Sequence, residues 1–213
     1  MNIAVIEGKA PAKDWLSSRL PADWKCIWVD DADELEDHRG ADVFIDLAFV
    51  PDAARVRQLS RLLPAPVIVH SVIHTLQEIG QPFIRINAWP GMLERSVHEV
   101  VMSDASNEAV EKFYAALQIS YRIVPDVVGM ISARILASII NEAYYTLQED
   151  VSTKEEIDTA MKLGTNYPFG PFEWSEHIGL ENIYDLLNKL SGADARYAPA
   201  AAMKEALTLL KID

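Results

Sequence analysis

The chain has 213 residues, enough for one large domain or two small ones, and its 50% hydrophobic and 24% charged residues are typical of a globular protein. Its 19 Lys and Arg residues and 32 Asp and Glu residues give a net charge of −13. So acidic a surface repels nucleic acid and anionic lipid, and we expect neither as a partner.

The single cysteine, Cys26, cannot close an intrachain disulfide, and the Cys and His residues lack metal-ligand spacing. The N-terminal segment lacks the basic start of a signal peptide, and the apolar runs are too short to span a bilayer. We therefore expect a cytoplasmic protein without a metal site and without a membrane segment.

The first half alternates short apolar runs with amphipathic stretches, which predicts buried parallel strands separated by helices. The predicted strands are Asn2–Ile6, Lys25–Val29, Asp42–Ala48, Pro66–His70, Phe83–Ile86 and Val97–Met102. The predicted helices are Ala12–Leu20, Pro51–Leu62, Val72–Ile79 and Asn107–Leu117. Pro51 suits a first helical turn, and Asn107 can cap the last of these helices. Residues 1–122 are therefore predicted to form an open α/β sheet domain.

From Val127 onward the apolar period becomes helical, with Val128, Ile131, Ile135, Ile139 and Leu147 recurring at three- and four-residue steps. Two overlapping capping boxes occur in Ser152–Glu156, and Asn166–Pro171 interrupts the pattern. Two further helices are predicted at Glu173–Leu190 and Pro199–Leu210. Residues 123–213 are therefore predicted to form a helical bundle.

Several separated motifs of this second half occur together in one known family. They are Asp126–Arg134, Asn141-Glu142-Ala143, Ile157-Asp158, Gly164 with Pro168–Trp174, Ile178-Gly179-Leu180 and Arg196-Tyr197 with Pro199. In this order they resemble the C-terminal domain of the 3-hydroxyacyl-CoA dehydrogenase family. The similarity extends more weakly to Ala41–Ala48, Val67–Ile79 and Asn87–Val101, while residues 1–40 keep only general Rossmann character.

The resemblance implies a Rossmann-like NAD-binding domain followed by an all-α, 6-phosphogluconate dehydrogenase C-terminal-like helical domain. It further implies NAD-dependent oxidation of L-3-hydroxyacyl-CoA to 3-ketoacyl-CoA, a reaction of fatty acid metabolism. A homodimer formed through the helical domain, and acyl-CoA as a ligand, are the partners that it implies.

The expected cofactor site departs from the dinucleotide pattern. The turn after the first strand contains one glycine, Gly8, and no G-x-G-x-x-G, so the backbone lacks a cradle for pyrophosphate. Lys9 and Lys13 can contact phosphate or lie in solvent. Asp30 and Asp31 occupy the place of an acid that binds the adenosine ribose, or they belong to a solvated charge run. NAD therefore follows from the resemblance alone.

The resemblance also implies a catalytic histidine that is held and polarised by a glutamate. Glu99 matches the family's glutamate if this chain contains a three-residue insertion within Gly91–Ser96. Alternation along the strand then directs Glu99 to the site and His98 away from it. The histidine position falls on Ile84, or on Arg85 after a one-residue shift, and neither is a base. His70 ends a predicted strand, where it can pair with Glu99 as a substitute or remain structural.

Asn87 and Trp89 follow the fifth predicted strand and are candidate substrate-binding residues. Trp89 can line an acyl pocket or plug the cleft between domains. A family asparagine is replaced by Ala133. Two functions therefore stay open: a non-catalytic dimeric binding subunit, and an active dehydrogenase with a rearranged site and an altered acyl-CoA substrate.

Overall fold

The computed structural model describes residues 1–7, 12–103 and 107–210. The chain forms two compact units, Met1–Met130 and Ile131–Asp213. The sequence placed the boundary between residues 122 and 123, which lies within a strand, Ser120–Ile123, that belongs to the sheet of the first unit.

The first unit contains a seven-stranded sheet in the order β2-β1-β3-β4-β5-β6-β7. The strands are β1 Asn2–Ile6, β2 Lys25–Val29, β3 Val43–Asp46, β4 Val67–His70, β5 Ile84–Ile86, β6 Val97–Val101 and β7 Ser120–Ile123. Neighbouring strands are parallel except β5 and β6, which are antiparallel. The predicted α/β sheet domain followed by a helical domain is confirmed.

The helices of the first unit are α1 Lys13–Ser17, α2 Ala32–Asp37, α3 Ala53–Ser60, α4 Leu76–Ile79 and α5 Glu108–Leu117. Asn107 caps α5 as predicted, because its side chain accepts the N–H of Val110 at 3.2 Å. Asp52 caps α3, so Pro51 precedes this helix and does not lie in its first turn. The acidic run interpreted as a solvated loop forms α2.

The two faces of the sheet bury different helices. Leu16 of α1 and Val110 of α5 pack against Ile68, Ile86 and other residues of one face, which we call the α5 face. On the opposite face, Leu59 of α3 packs against Val67 and Val69, and we call this the α3 face. Alternation along each strand therefore assigns each side chain to one face.

The second unit consists of α6 Ser132–Gln148, α7 Lys154–Thr165, α8 Pro171–Ile178, α9 Leu180–Ser191, a short 3₁₀ helix Ala195–Tyr197 and α10 Ala201–Leu210. Helix α6 starts later than its apolar pattern because Gly129 and Met130 have positive φ angles of 78° and 50°. The single helix predicted at Glu173–Leu190 is two helices, since Gly179 has a φ of 96° that a helix cannot contain. Within the described parts of the chain, no helix is long and apolar enough to cross a membrane.

Two motif residues of this unit have structural roles. Asp158 is buried and accepts the N–H groups of Phe172 at 2.8 Å and Glu173 at 3.1 Å, which belong to the first turn of α8. Asn141 donates to the carbonyl of Ala198 at 2.8 Å and accepts the N–H of Ala200 at 2.9 Å. The motifs therefore stabilise the bundle whether or not the protein is an enzyme.

We expect Gly170→Ala to destabilise the second unit by roughly 2 kcal/mol, the usual scale for overpacking. A Cβ at Gly170 would lie 2.4 Å from the Cβ of Asp158, and that carboxylate is fixed by its bonds to α8. Gly164→Ala is the matched control, because a Cβ there meets nothing within 4 Å and alanine favours the helix. Urea unfolding of both variants checks the prediction, and equal stabilities would contradict it.

Candidate functional site

The carboxyl edge of the parallel strands is where open α/β sheets bind ligands, at the point where the strand order reverses. In this sheet β1 lies between β2 and β3, so that point lies beyond the carboxyl ends of β1 and β3. The residues that follow these strands decide whether a nucleotide can bind there.

Glu7 follows β1 directly, and its carboxylate accepts the N–H of Lys13, the first residue of α1, at 3.2 Å. In a dinucleotide fold the N–H groups of this first helix bind pyrophosphate. Here a carboxylate of the chain bonds to that helix end instead, and α1 has only five residues. Gly8 and Lys9, the other candidates in this turn, lie outside the described residues.

The two ribose-binding candidates after β2 are exposed, and one of them caps a helix. The Asp31 carboxylate accepts the N–H groups of Asp33 at 2.8 Å and Glu34 at 3.1 Å at the start of α2. The N–H of Asp30 donates to the Glu34 carboxylate at 3.5 Å. The capping contacts explain an acid at position 31 without a nucleotide.

Asp46 ends β3 and forms an ion pair that the sequence did not predict. It is fully buried, and its carboxylate accepts from Nε and Nη2 of Arg55 at 2.7 Å and 3.1 Å and from the N–H of Ala48 at 3.0 Å. Burial raises the pKa of Asp46, and the bonds to Arg55 oppose that shift. Because Arg55 is neutralised by Asp46, it adds little attraction for phosphate.

The antiparallel pair β5 and β6 contains the catalytic candidates. Arg85 pairs with Val101 and Ile86 with Val100. Extending this register by one residue places Asn87 opposite Glu99, and alternation directs both side chains to the α3 face. His98 points to the other face, where it contacts Trp15 and Tyr114, as predicted.

Ile84, the residue at the expected histidine position, is buried on the α5 face. The extended register places Asn87, three residues later, opposite Glu99. Arg85, the alternative, lies on the α3 face but pairs with Val101. An amide does not ionise near neutral pH, so Asn87 cannot act as a general acid or base.

The structure does not bring His70 and Glu99 together. His70 pairs with Ile86 and alternates with Ile68, so it lies on the α5 face, whereas Glu99 lies on the α3 face. Its Nδ1 accepts the N–H of Ala88 at 3.0 Å. Burial lowers the pKa of His70 to about 4, so the imidazole is neutral at pH 7 and has a structural contact.

The Asn87 side chain has one bonded end and one unbonded end. Its Oδ1 accepts the N–H of Trp89 at 3.0 Å, whereas its Nδ2 has no hydrogen-bond partner among the described residues. The Trp89 indole is 3% exposed, so in this structure it fills interior space and does not line an open pocket. Ala133 is buried in α6.

A second ion pair, between buried Arg85 and partly exposed Asp126, joins β5 to the segment that follows β7. Arg85 is fully buried, and its guanidinium donates to Asp126, to the carbonyl of Ser71 at 3.0 Å and to the carbonyl of Val72 at 3.3 Å. Burial lowers the pKa of Arg85, and Asp126 opposes the shift. The Asp126 carboxylate also accepts the N–H groups of Leu76 and Gln77, at the start of α4.

The sequence contained a signal for both ion pairs. Asp46 ends an apolar run, which is unusual for an acid without a partner, and Arg55 follows 9 residues later, in the first turn of α3. Asp126 begins one of the motifs quoted above, but its partner, Arg85, is 41 residues away and only the register of β5 identifies it. The described residues contain no group of three His, Cys, Asp or Glu side chains that could hold a metal ion.

Comparisons with known proteins agree on one family. The profile of the 3-hydroxyacyl-CoA dehydrogenase C-terminal domain matches residues 129–211. A 3-hydroxybutyryl-CoA dehydrogenase of Bradyrhizobium diazoefficiens is 39% identical over 105 residues, which are 48% of this chain and 36% of that protein. A 3-hydroxyadipyl-CoA dehydrogenase of Escherichia coli K12 is 40% identical over 84 residues, which are 38% of this chain and 18% of that protein.

The matches therefore span about a third or less of these curated relatives. Among solved structures, (S)-3-hydroxybutyryl-CoA dehydrogenase PaaH1 from Ralstonia eutropha superposes with a TM-score of 0.75. The superposition covers 98% of this chain and 93% of that one at 20% identity, so it shows a shared fold.

Proposed function

Because the chain belongs to the 3-hydroxyacyl-CoA dehydrogenase family through its helical unit, we propose that it is a non-catalytic, dimeric subunit that binds acyl-CoA. The reaction of the family is NAD-dependent oxidation of L-3-hydroxyacyl-CoA to 3-ketoacyl-CoA. The fold is shared with enzymes of that reaction, and the proposal of a non-catalytic role rests on the residues at the expected histidine position, Ile84 or Arg85, neither of which is a base.

The observation that supports this proposal most is the residue opposite Glu99. Hydride transfer from an alcohol requires a base that takes the hydroxyl proton as the carbonyl forms. Extending the register of β5 and β6 by one residue beyond Ile86 puts an amide, Asn87, opposite Glu99, which supports the proposal. His70, the histidine considered as a substitute base, is neutral and lies on the other face of the sheet.

The acids around the cofactor edge support the same proposal. Glu7 bonds to the first N–H of α1, and Asp31 caps α2. The N–H groups at the start of the first helix bind pyrophosphate in a dinucleotide fold, and here the Glu7 carboxylate lies at that helix start and repels it. The bonds of Asp31 to α2 explain this acid without a ribose.

The dimer is proposed from the apolar surface at the start of α6. Ile131 and Ile135 are 48% and 54% exposed, and Ile139, one turn further along the same side, is only partly buried. Such a row of β-branched side chains is costly in water and is covered when a second copy packs against it. Ile135→Glu is therefore expected to give a monomer in sedimentation experiments at micromolar concentration, whereas the wild type sediments as a dimer.

Calorimetric titration tests the binding proposal. We expect butyryl-CoA to bind and NADH to show a dissociation constant in the millimolar range, because the glycine cradle is missing. A dissociation constant for NADH below about 100 μM, equivalent to more than roughly 5 kcal/mol, would contradict the account and favour an active dehydrogenase with a rearranged site.

A further inference from the structure

Strand β2 forms one edge of the sheet and pairs only with β1. In the strand order 3-2-1-4-5-6 of dinucleotide folds, a third strand lies beyond the second one. Here the chain runs from β2 through α2 to β3, on the other side of β1, and no described strand lies beyond β2. We call the unpaired side of β2 the outer edge. Such an edge is a template on which another strand can pair.

The ladder between β1 and β2 identifies the backbone groups that point to the outer edge. The N–H of Lys25 donates to the carbonyl of Met1 at 3.1 Å, and Lys25 pairs with Asn2 in parallel register. Because successive residues of a strand direct their N–H and C=O groups to opposite sides, those of Cys26 and Trp28 point outward. In the described part of the chain, neither N–H bonds to a group outside the ladder. The outer edge therefore presents two donors and two acceptors.

The side chains beside the outer edge are apolar on the α5 face. Cys26 and Trp28 are partly buried against the core of this face, together with Trp24, which precedes the strand. Lys13 lies over the Trp28 ring, 5.5 Å from its centroid, so a cation of this chain is on the same face. A neighbouring strand with apolar side chains here would cover the exposed parts of the indoles, whereas a cation would be repelled by Lys13.

The α3 face of the outer edge is acidic. Residues 30–37 contain six Asp or Glu residues and no Lys or Arg, and their helix, α2, packs on this face. The N–H of Asp30 is the next outward group after that of Trp28, and it donates to the Glu34 carboxylate at 3.5 Å. This contact places the Glu34 carboxylate at the outer edge, where it forms no ion pair with a described residue.

We propose that the outer edge of β2 binds an extended strand of a partner protein in which apolar residues alternate with Lys or Arg. The backbone of this strand bonds to Cys26 and Trp28, its apolar side chains cover Trp24 and Trp28, and its cations lie near Glu34. A shift by one residue brings the cations against Lys13, so the charges also select the register. A second copy of this chain is disfavoured, because a symmetric pair of outer edges brings two acidic α2 helices together.

Titration with synthetic peptides tests the proposal. The probe is an acetylated and amidated hexapeptide that alternates lysine and valine, and its control has three lysines followed by three valines. We expect the alternating peptide to bind at least about fivefold more tightly, since its lysines all lie on one face of a strand.

Two pairs of variants locate the peptide. Cys26→Pro removes an outward N–H and no bond to β1, and it should weaken binding about fivefold relative to Cys26→Val, which keeps the N–H. Glu34→Lys should weaken binding by a similar factor. Glu205→Lys, at an exposed position of α10, makes the same change of charge and should leave binding unchanged.

Amide hydrogen exchange of the wild type does not depend on the folding of any variant. Slower exchange at Cys26 and Trp28 in the presence of the alternating peptide supports the site. Absence of binding, equal binding of the two peptides, or binding without slower exchange at these amides overturns it. A wild-type dimer that Cys26→Pro converts to a monomer also overturns it, because the occupant is then a second copy. These outcomes are independent of turnover and of NADH binding.

Discussion

Asp126→Ala is expected to lower the free energy of unfolding by roughly 2 to 3 kcal/mol, because Asp126 is partly exposed but its loss leaves the buried charge of Arg85 unpaired. Arg85 is fully buried, and its guanidinium stays protonated even though burial lowers its pKa. Without Asp126, this charge keeps only carbonyl acceptors, at Ser71 and Val72. The N–H groups of Leu76 and Gln77 lose their acceptor at the same time.

Two causes contribute to this loss: the unpaired charge of Arg85, and the unbonded N–H groups of Leu76 and Gln77. Arg85→Met in the Asp126→Ala background separates them. Removing both charges restores much of the loss if the unpaired guanidinium dominates, since methionine fills a similar volume. Asp37→Ala, at an exposed position at the end of α2, is a control with the same change of charge. Urea unfolding at pH 7 measures all four proteins. A loss below about 1 kcal/mol for Asp126→Ala would show that the pair is weak, as exposed pairs are.

Asn87→His is expected to create an imidazole whose pKa is raised by the adjacent Glu99 carboxylate, by about one unit or more. The effect depends on the β5–β6 register, which places position 87 opposite Glu99. Proton NMR of the imidazole C–H signals measures the pKa, and subtraction of the wild-type spectrum removes the five native histidines. In the Glu99→Gln background the pKa of this imidazole should be lower, because the carboxylate is absent.

Ile84→His is the matched control for this experiment. Ile84 is 4% exposed among apolar side chains of the α5 face, so an imidazole there should have a lowered pKa that does not respond to Glu99→Gln. If Glu99→Gln changed the pKa of the imidazole at position 84 and left that at position 87 unchanged, the register would be misassigned. Neither variant is expected to gain turnover, because repairing one defect of several recovers little.

The fold could be predicted from the sequence because its signals are local. Strand β1 was predicted to the residue, and Asn107 was identified as a cap. Strand β7 was missed because Ser120–Ile123 is a mostly exposed edge strand without a buried apolar run. Helix α2 was missed because its capping acid, Asp31, lies within a run of acidic residues that is equally typical of a loop.

The candidate site depended on contacts that no local pattern contains. The sequence identified Glu99 and Asn87 separately, and only the antiparallel register shows that they face each other. It paired His70, at the end of a strand, with Glu99, the match of the family's glutamate, whereas strand alternation places the two on opposite faces. Arg85 was considered only as an unsuitable base, and its contact with Asp126 joins residues 41 positions apart.

The most direct test of the central claim is turnover by the wild-type protein. Oxidation of NADH in the presence of acetoacetyl-CoA is followed by absorbance for the wild type and for Glu99→Gln. We predict a rate at least about a thousandfold below 1 per second for both, because neither Ile84 nor Arg85 can act as a base and the turn after β1 lacks the glycines of a cofactor cradle. A wild-type rate of about 1 per second or more, lowered roughly a hundredfold by Glu99→Gln, would contradict the account.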